Sequence, residues 1–111
     1  MLSYLQPFYT FIESAYTDLL SFQNFTEELI VVIKNEKENL ENNYFKIGSY
    51  INEIPASLLF ASLAADLRKI IRLTCTREFS LEVAQGILST IKERIDDLVE
   101  KLKMFVSSDS E

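Results

Sequence analysis

The sequence predicts an all-α protein, an antiparallel up-and-down four-helix bundle, and three observations favour this class. Only two glycines and two prolines occur in 111 residues, so turns are few and elements are long. Apolar residues recur at steps of three and four along most of the chain, whereas strand-like alternation is absent from it. Four such helices joined by short links pack most simply side by side, each reversing the direction of the one before.

The first predicted helix covers residues 7–22. Pro7 is acceptable near its start, because the missing N–H falls in the first turn. The apolar arc of this helix spans about 180°, wider than the roughly 100° stripe that one core face requires. Tyr9, Tyr16 and Leu20 lie on the surplus edge and are predicted to bind a partner. The alternative is that the wide arc inserts deeply between two neighbouring helices of the same bundle.

The second predicted helix runs from about residue 25 to residue 53. Asn24 followed by Glu27 forms a weak capping box at its start. Its apolar positions keep to an arc of about 120° if the helix is continuous. Pro55 ends it, because the residue before a proline is pushed out of the α region.

The third predicted helix covers residues 56–75 and has two usable sides. Its large apolar residues suit a core, while Ser57, Ala61 and Ala65 form a ridge of small side chains behind them. Such a ridge lets a second backbone approach closely, so these three residues are also predicted to bind a partner.

A basic cluster marks the end of the third predicted helix. It consists of Arg68, Lys69, Arg72 and, just beyond the helix, Arg77. Cations near a helix C-terminus are stabilised by the macrodipole, which is a sufficient structural reason for them. Binding of nucleic acid by this cluster is the alternative, although the aromatic residues or glycine-rich loops that usually accompany such a site are not present.

The fourth predicted helix covers residues 81–106 and follows a capping serine, Ser80. Its apolar positions alternate steps of four and three, like the seam of a coiled coil: Ile91, Ile95, Leu98, Leu102 and Phe105. Residues 1–106 are predicted to form one domain and residues 107–111 a disordered acidic tail. The second and fourth predicted helices are the longer ones and should project past their neighbours.

Charge and cysteine content narrow the class of protein. A net charge of −6 argues against a protein whose main role is to neutralise phosphates or an anionic membrane surface. The single cysteine, Cys75, cannot form an internal disulfide, and no basic segment precedes the first apolar residues. The longest weakly polar run, residues 54–65, is too short for a membrane span. These features predict a cytoplasmic protein that does not enter a membrane.

The sequence contains no histidine, which removes the commonest general base and the Ser-His and Cys-His nucleophile systems. The pairs Glu38–Glu41 and Glu93–Asp96 are similar to the paired acidic motifs of all-α nucleotide pyrophosphohydrolases, a family that holds Mg²⁺ between two helices. Helical spacing puts Glu93 and Asp96 nearly opposite the apolar stripe, on a solvated acidic face, so they cannot meet the second predicted helix across the core. A carboxylate-only Mg²⁺-dependent hydrolase is therefore the third choice.

The sequence favours a non-enzymatic helical interaction module, an adaptor, inhibitor or small subunit that acts through its helix faces, with no catalytic residue, metal or cofactor. Its partner is another protein or a second copy, since surplus apolar surface and projecting helix ends suit a homodimer. The alternative is a nucleic-acid-associated small subunit that uses the basic cluster.

Overall fold

The computed structural model describes three stretches of the chain, residues 5–35, 44–76 and 80–109. It contains four α-helices: α1 (Gln6–Asn35), α2 (Tyr44–Ser49), α3 (Ala61–Thr74) and α4 (Leu81–Asp109). A 3₁₀ turn, Tyr50–Glu53, follows α2. Helices account for 89% of the described residues and none of these residues is in a strand, which confirms the all-α class.

The two long helices, α1 and α4, lie against each other and run in opposite directions. Gln23 of α1 is hydrogen-bonded to Asp96 of α4, and Glu27, one turn further along α1, pairs with Lys92, one turn earlier in α4. Residue numbers therefore rise along one helix as they fall along the other. The molecule is a rod of 56 × 20 × 16 Å, with this helix pair along its length.

The shorter elements cover only part of that pair. The Ser57 hydroxyl donates a 2.9 Å hydrogen bond to Asp18, so the chain reaches the middle of α1 just before α3 begins. Phe60 packs there too, with its ring edge-on to Phe22 and the two centroids 6.4 Å apart. From this point α3 runs in the same direction as α1, and the short link to α4 makes the next helix antiparallel to it. The antiparallel directions of the predicted bundle are thus supported in part, for α1, α3 and α4.

The hydrophobic core lies where the shorter elements cover α1 and α4. Its fully buried large side chains come from all four helices: Leu19, Phe22, Leu29 and Ile33 of α1, Ile47 of α2, Leu67 and Ile71 of α3, and Leu88 and Ile95 of α4. Two threonines are buried among them, and each hydroxyl is bonded to a carbonyl of its own helix, Thr26 to Phe22 and Thr74 to Ile71. The buried hydroxyls are therefore satisfied without a partner from another element.

The predicted boundary between the first and second helices is wrong. Helix α1 continues through residues 23–25 without a break. The residues on both sides belong to one buried stripe, in which Leu19 and Phe22 are followed by Phe25, Leu29 and Ile33. Asn24 is exposed in mid-helix, so its cap-forming side chain has no buried backbone group to satisfy. A continuous buried stripe without glycine or proline favours an unbroken helix more strongly than the capping tendency of Asn24 favours a new start.

The range 25–53 predicted for the second helix is consequently wrong as well. Its first part belongs to α1, its last part is α2 with the 3₁₀ turn, and residues 36–43 lie outside the described residues. The predicted end is confirmed, because Ile54 leaves the helical region with φ −60° and ψ 128° directly before Pro55. The two long helices of the fold are therefore α1 and α4.

The predicted start of the third helix at residue 56 is wrong, because α3 begins at Ala61. Ser57 explains the delay: its hydroxyl accepts the Phe60 N–H at 3.3 Å and at the same time donates to Asp18. A serine side chain that bonds the backbone in this way favours a turn over a helix. The predicted ridge is thereby broken, since Ser57 is not on the same helix as Ala61 and Ala65.

Helix α4 begins at Leu81, as predicted, and the Ser80 carbonyl accepts the N–H of Ala84. It continues to Asp109, three residues past the predicted end, while residues 110 and 111 lie outside the described part of the chain. Of the helices described, none combines the length and the hydropathy that crossing a bilayer requires.

Candidate protein-binding site

Helices α1 and α4 extend beyond the N-terminal end of α3 in the part of the chain that the structure describes. The contacts of residues 57 and 60 with residues 18 and 22 show where the segment before α3 meets α1. The antiparallel register set by Gln23 and Asp96 places residues 10–19 beside the last turns of α4. We call this pair, residues 6–19 and 98–109, the arm.

An apolar groove of about 370 Å³ lies at the base of the arm, and it is open to solvent. Its lining comes from both arm helices and from the segment before α3: Phe11, Ile12, Ala15, Leu19, Leu59, Phe60, Leu98, Lys101 and Leu102. Ala15 and Leu19 are buried and form the floor, whereas Phe11, Leu59 and Leu98 are exposed around it. The groove continues the face on which α3 packs further along the rod.

The same apolar face continues from the groove to the tip of the arm. Phe8 is one turn before Phe11 and Ile12, and Phe105 is two turns after Leu98, so helical spacing puts both on the groove side. The three phenylalanines are each about half exposed, Phe8 at 50%, Phe11 at 52% and Phe105 at 55%. We call this surface, the groove with Phe8 and Phe105, the arm face.

Charged side chains lie beside the arm face. Lys101 borders the groove and forms a 2.9 Å ion pair with Asp97, one turn earlier on α4. Both side chains are largely exposed, so the pair adds little to stability and leaves the apolar centre uninterrupted. An apolar centre with a charged edge is the usual composition of a protein interface.

The partner-binding residues predicted on α1 lie beside the arm face rather than on it. Tyr16 and Leu20 are half-buried and pack against the core. Tyr9 is also half-buried, and its ring stands edge-on to Phe8 with centroids 5.8 Å apart. None of the three lines the groove, and their role in binding stays a prediction.

The other predicted set lies along the start of α3. Ala61 and Ala65 are exposed, and Ser57 is half-buried. Ser57 and Ala61 line a second open groove of about 400 Å³, whose remaining residues are Pro55, Ala56, Leu58, Ala64 and Arg68. The structure does not join this set to the three residues predicted on α1.

Part of the predicted basic cluster is visible on the outside of α3. Arg68, Lys69 and Arg72 are all exposed, while Arg77 lies outside the described residues. The three ion pairs seen in the described stretches join residues of α1 and α4 and do not involve these three cations. They form a solvated positive edge on an otherwise acidic molecule.

Asp96 lies on the partly solvated side of α4, where its side chain is 36% exposed, and it also bonds to α1. It accepts a 2.7 Å hydrogen bond from Gln23 and a 2.8 Å bond from Lys92, which also pairs with Glu27 at 3.4 Å. The Gln23 amide, followed by the Lys92 ammonium, holds the pKa of Asp96 below its ordinary value, and the Asp96 carboxylate raises the pKa of Lys92. Both shifts stabilise the charged pair, and the bonds of this cluster link α1 to α4.

The described residues offer little for redox or metal chemistry. The Cys75 thiol is half-buried beside α2, and burial raises its pKa, which disfavours the reactive thiolate. Among the described stretches no group of three acidic or cysteine side chains is close enough to hold a metal ion, and Glu38 and Glu41 lie outside them. Glu93 is exposed on α4.

The apolar periodicity of α1 and α4 does not distinguish the arm face from the core. Phe8, Phe11, Leu98 and Phe105 satisfy the spacing of a buried stripe, but the element that would cover them is too short. Leu59 was assigned to a helix that begins two residues after it. The unequal helix lengths were the signal that pointed to exposed ends, although the sequence placed the first long helix at the wrong residues.

Comparisons with known proteins add no family to this description. No protein-family model, no curated protein and no solved structure matches the chain.

Proposed function

We propose that this protein is a non-enzymatic interaction module that binds another protein chain through the arm face. The observation that carries the proposal is a continuous apolar surface, with three half-exposed phenylalanines, on helices that extend beyond the rest of the fold. Large exposed apolar patches with a charged edge are typical of protein interaction sites. An adaptor, an inhibitor or a small subunit of a larger assembly would use such a surface.

The rigidity of the arm supports this role. Its two helices are continuous with the core, and the Gln23–Asp96 bond fixes their register close to where the arm begins. A preorganised surface loses less conformational entropy on binding than a loop does. Aromatic side chains suit this use, because they supply large contact areas and have few rotatable bonds to immobilise.

A binding role also agrees with the chemistry available. The chain lacks histidine, and the half-exposed Asp96 carboxylate is engaged by Gln23 and Lys92. The proposal places the protein in the cytoplasm, where its single cysteine would stay reduced.

Site-specific photocrosslinking tests the proposal. A photoreactive phenylalanine analogue at Phe11 should capture a protein partner in cells that make the full chain. The matched control carries the analogue at Val31, which is 55% exposed on the opposite end of the same helix. Adducts at Phe11 that are absent at Val31 support a binding arm face. Equal adduct patterns at the two positions, or no adduct at Phe11, contradict it.

A second candidate function rests on the solvated cations of α3. Arg68, Lys69 and Arg72 are exposed and outside the ion pairs of α1 and α4, an arrangement that suits contact with phosphates. Single-stranded RNA should then bind in a salt-sensitive manner, and the double variant Arg68→Glu plus Arg72→Glu should abolish binding. RNA binding that survives this change, or none at low salt, excludes the second candidate.

A further inference from the structure

We propose that the partner of the arm face is a second copy of this chain, bound arm to arm in an antiparallel two-fold dimer. In this arrangement Phe8, at the tip of each arm, enters the groove beside Leu59 of the other copy. The inference rests on the proposed function and names the partner and the contact.

The arm face contains both a projection and a groove. Phe8 stands half-exposed at the tip, and the open groove at the base is lined by apolar side chains such as Leu59 and Leu98. A two-fold interface requires this kind of self-complementarity, because every contact in it occurs twice, the second time with the two copies exchanged. A second copy therefore fills both grooves with one interaction made twice.

The spacing along the helices fits the antiparallel arrangement. Phe8 is eleven residues before Leu19 on the groove floor, which corresponds to about 17 Å of helix. Two arms laid side by side in opposite directions bring each tip to the base of the other. The apolar steps of four and three on α4, at Leu98, Leu102 and Phe105, are those of four-helix packing. Two helix pairs thus complete one bundle.

The exposed apolar area supplies most of what a dimer of ordinary size requires. A phenylalanine side chain offers roughly 150–250 Å², so the three half-exposed rings present about 300 Å² per copy. A standard interface covers about 800 Å² per partner, and roughly 65% of it is apolar in homodimers. The rings therefore supply more than half of the apolar area required, and Leu59 and Leu98, which are 47% and 37% exposed, add to it.

Charge gives the dimer a distinctive response to salt. Each copy carries a net charge of −6, so long-range repulsion opposes association at low ionic strength. Salt screens that repulsion, whereas the apolar contact is unaffected by screening. Self-association should therefore be maintained or strengthened as salt rises, in contrast to binding of a basic partner.

Sedimentation equilibrium of the full chain, over about 1–200 μM, tests the inference, because an interface of this size gives affinities of micromolar or tighter. The wild type should have the mass of a dimer at the upper concentrations. Phe8→Glu should lower the dimer fraction at least tenfold, because it places a charge in an apolar groove. Val31→Glu, an equally exposed position on α1 outside the arm, should leave the mass unchanged. Circular dichroism of each variant checks that the helices are retained.

Mixing two variants tests the reciprocal contact directly. Phe8→Glu and Leu59→Lys should each be monomeric alone. Mixed in equal amounts they should form a heterodimer, in which one contact is the wild-type pair and the other joins the two opposite charges. Failure of the mixture to associate, when both variants keep their helical spectra, overturns the proposed contact.

Two further outcomes separate this inference from the proposed function. A monomeric wild type throughout the concentration range overturns self-association. If the analogue at Phe11 then captures a different protein, the arm face is a binding site and only its partner was wrong. If Phe11 captures neither this chain nor another one, both the inference and the proposed function are contradicted.

Discussion

The side-chain amide of Gln23 donates a 2.7 Å hydrogen bond to the carboxylate of Asp96, 73 positions further along the chain. Lys92 donates to the other oxygen of the same carboxylate at 2.8 Å and lies 3.4 Å from Glu27. Apolar stripes tolerate a sliding of one helix along another, but directional bonds between specific partners do not. This cluster therefore selects one register for α1 against α4.

The Asp96 bonds should make stability depend on pH. Asp96 has a folded-state pKa below the ordinary value of 3.8, so its contribution is complete above that value and is lost as pH falls through the lower folded pKa. The opposite holds for Lys92, whose pKa is raised above 10.5: its contribution is complete below that value and is lost as pH rises through the higher folded pKa. Asp96→Asn should thus cost about 0.5–1 kcal/mol at pH 7, since the pair is partly exposed.

Urea unfolding of the wild type and Asp96→Asn at pH 7, 4 and 2.5 measures this effect. The difference in free energy of unfolding should be largest at pH 7 and shrink at pH 2.5, which lies below the ordinary carboxyl pKa, because protonation of Asp96 in the unfolded chain then offsets part of its contribution. Asp97→Asn, which changes the exposed Asp97–Lys101 pair, is the matched control and should show a smaller difference. A difference for Asp96→Asn that is the same at all three pH values would contradict the role assigned to the ionised carboxylate.

Core positions should respond strongly to truncation. Leu63 is 3% exposed and Ile95 fully buried, so replacing either with alanine should lower the free energy of unfolding by about 2–5 kcal/mol. Glu93→Ala, on the exposed side of α4, should change it by less than about 0.5 kcal/mol. Chemical denaturation followed by circular dichroism distinguishes these cases, and similar small effects at all three positions would show that the helix faces are assigned wrongly.

Ser57→Ala should destabilise the start of α3. The change removes a bond donated to Asp18 and one accepted from Phe60, at a part-buried site. The expected cost is about 1–2 kcal/mol, the range for a helix cap or a partly buried polar pair. Ser89→Ala, at an exposed position within α4, serves as the control and should be neutral or slightly stabilising. Thermal unfolding that gives the same midpoint for Ser57→Ala and the wild type would refute this role.

Gly86→Ala should stabilise the protein. Gly86 is exposed in the interior of α4, and a Cβ built there meets no atom within 4 Å among the described residues. Alanine reduces the conformational entropy of the unfolded chain, which favours the folded state by about 0.5–1 kcal/mol. Denaturant unfolding should give a higher midpoint concentration and an unchanged slope of the free energy of unfolding against denaturant. A lower midpoint would mean that other atoms occupy the space beside Gly86.

Sequence periodicity predicted the class of fold and most of the core because burial imposes a strict spacing on a helix. Leu63, Leu67 and Ile71 on α3, and Leu88 and Ile95 on α4, are buried as their spacing requires. The end of the second predicted helix followed from Pro55, whose ring acts on its own neighbour. Such local signals need no knowledge of the rest of the molecule.

The wrongly predicted helix boundaries lie where a local sequence signal competes with tertiary contacts. Asn24 carries a cap signal, but burial of Phe22 and Phe25 on one stripe holds α1 continuous. Ser57 is drawn out of α3 by Asp18, a partner 39 residues away. The arm face was not predictable for the same reason, since periodicity shows which side of a helix is apolar and not whether another element is long enough to cover it.

The uneven covering of α1 gives one helix two levels of local stability. Leu29 is fully buried in the core, whereas Phe11, near the other end of the same helix, is 52% exposed. Exchange of backbone hydrogens with deuterium should accordingly slow from the arm toward Ile33, because opening the tip breaks fewer contacts than opening the core. A chain that docks on the arm would extend the slow-exchanging region to the helix tip. The exchange rates of the backbone amides would then report whether a partner is bound to the arm face, without any label on the partner.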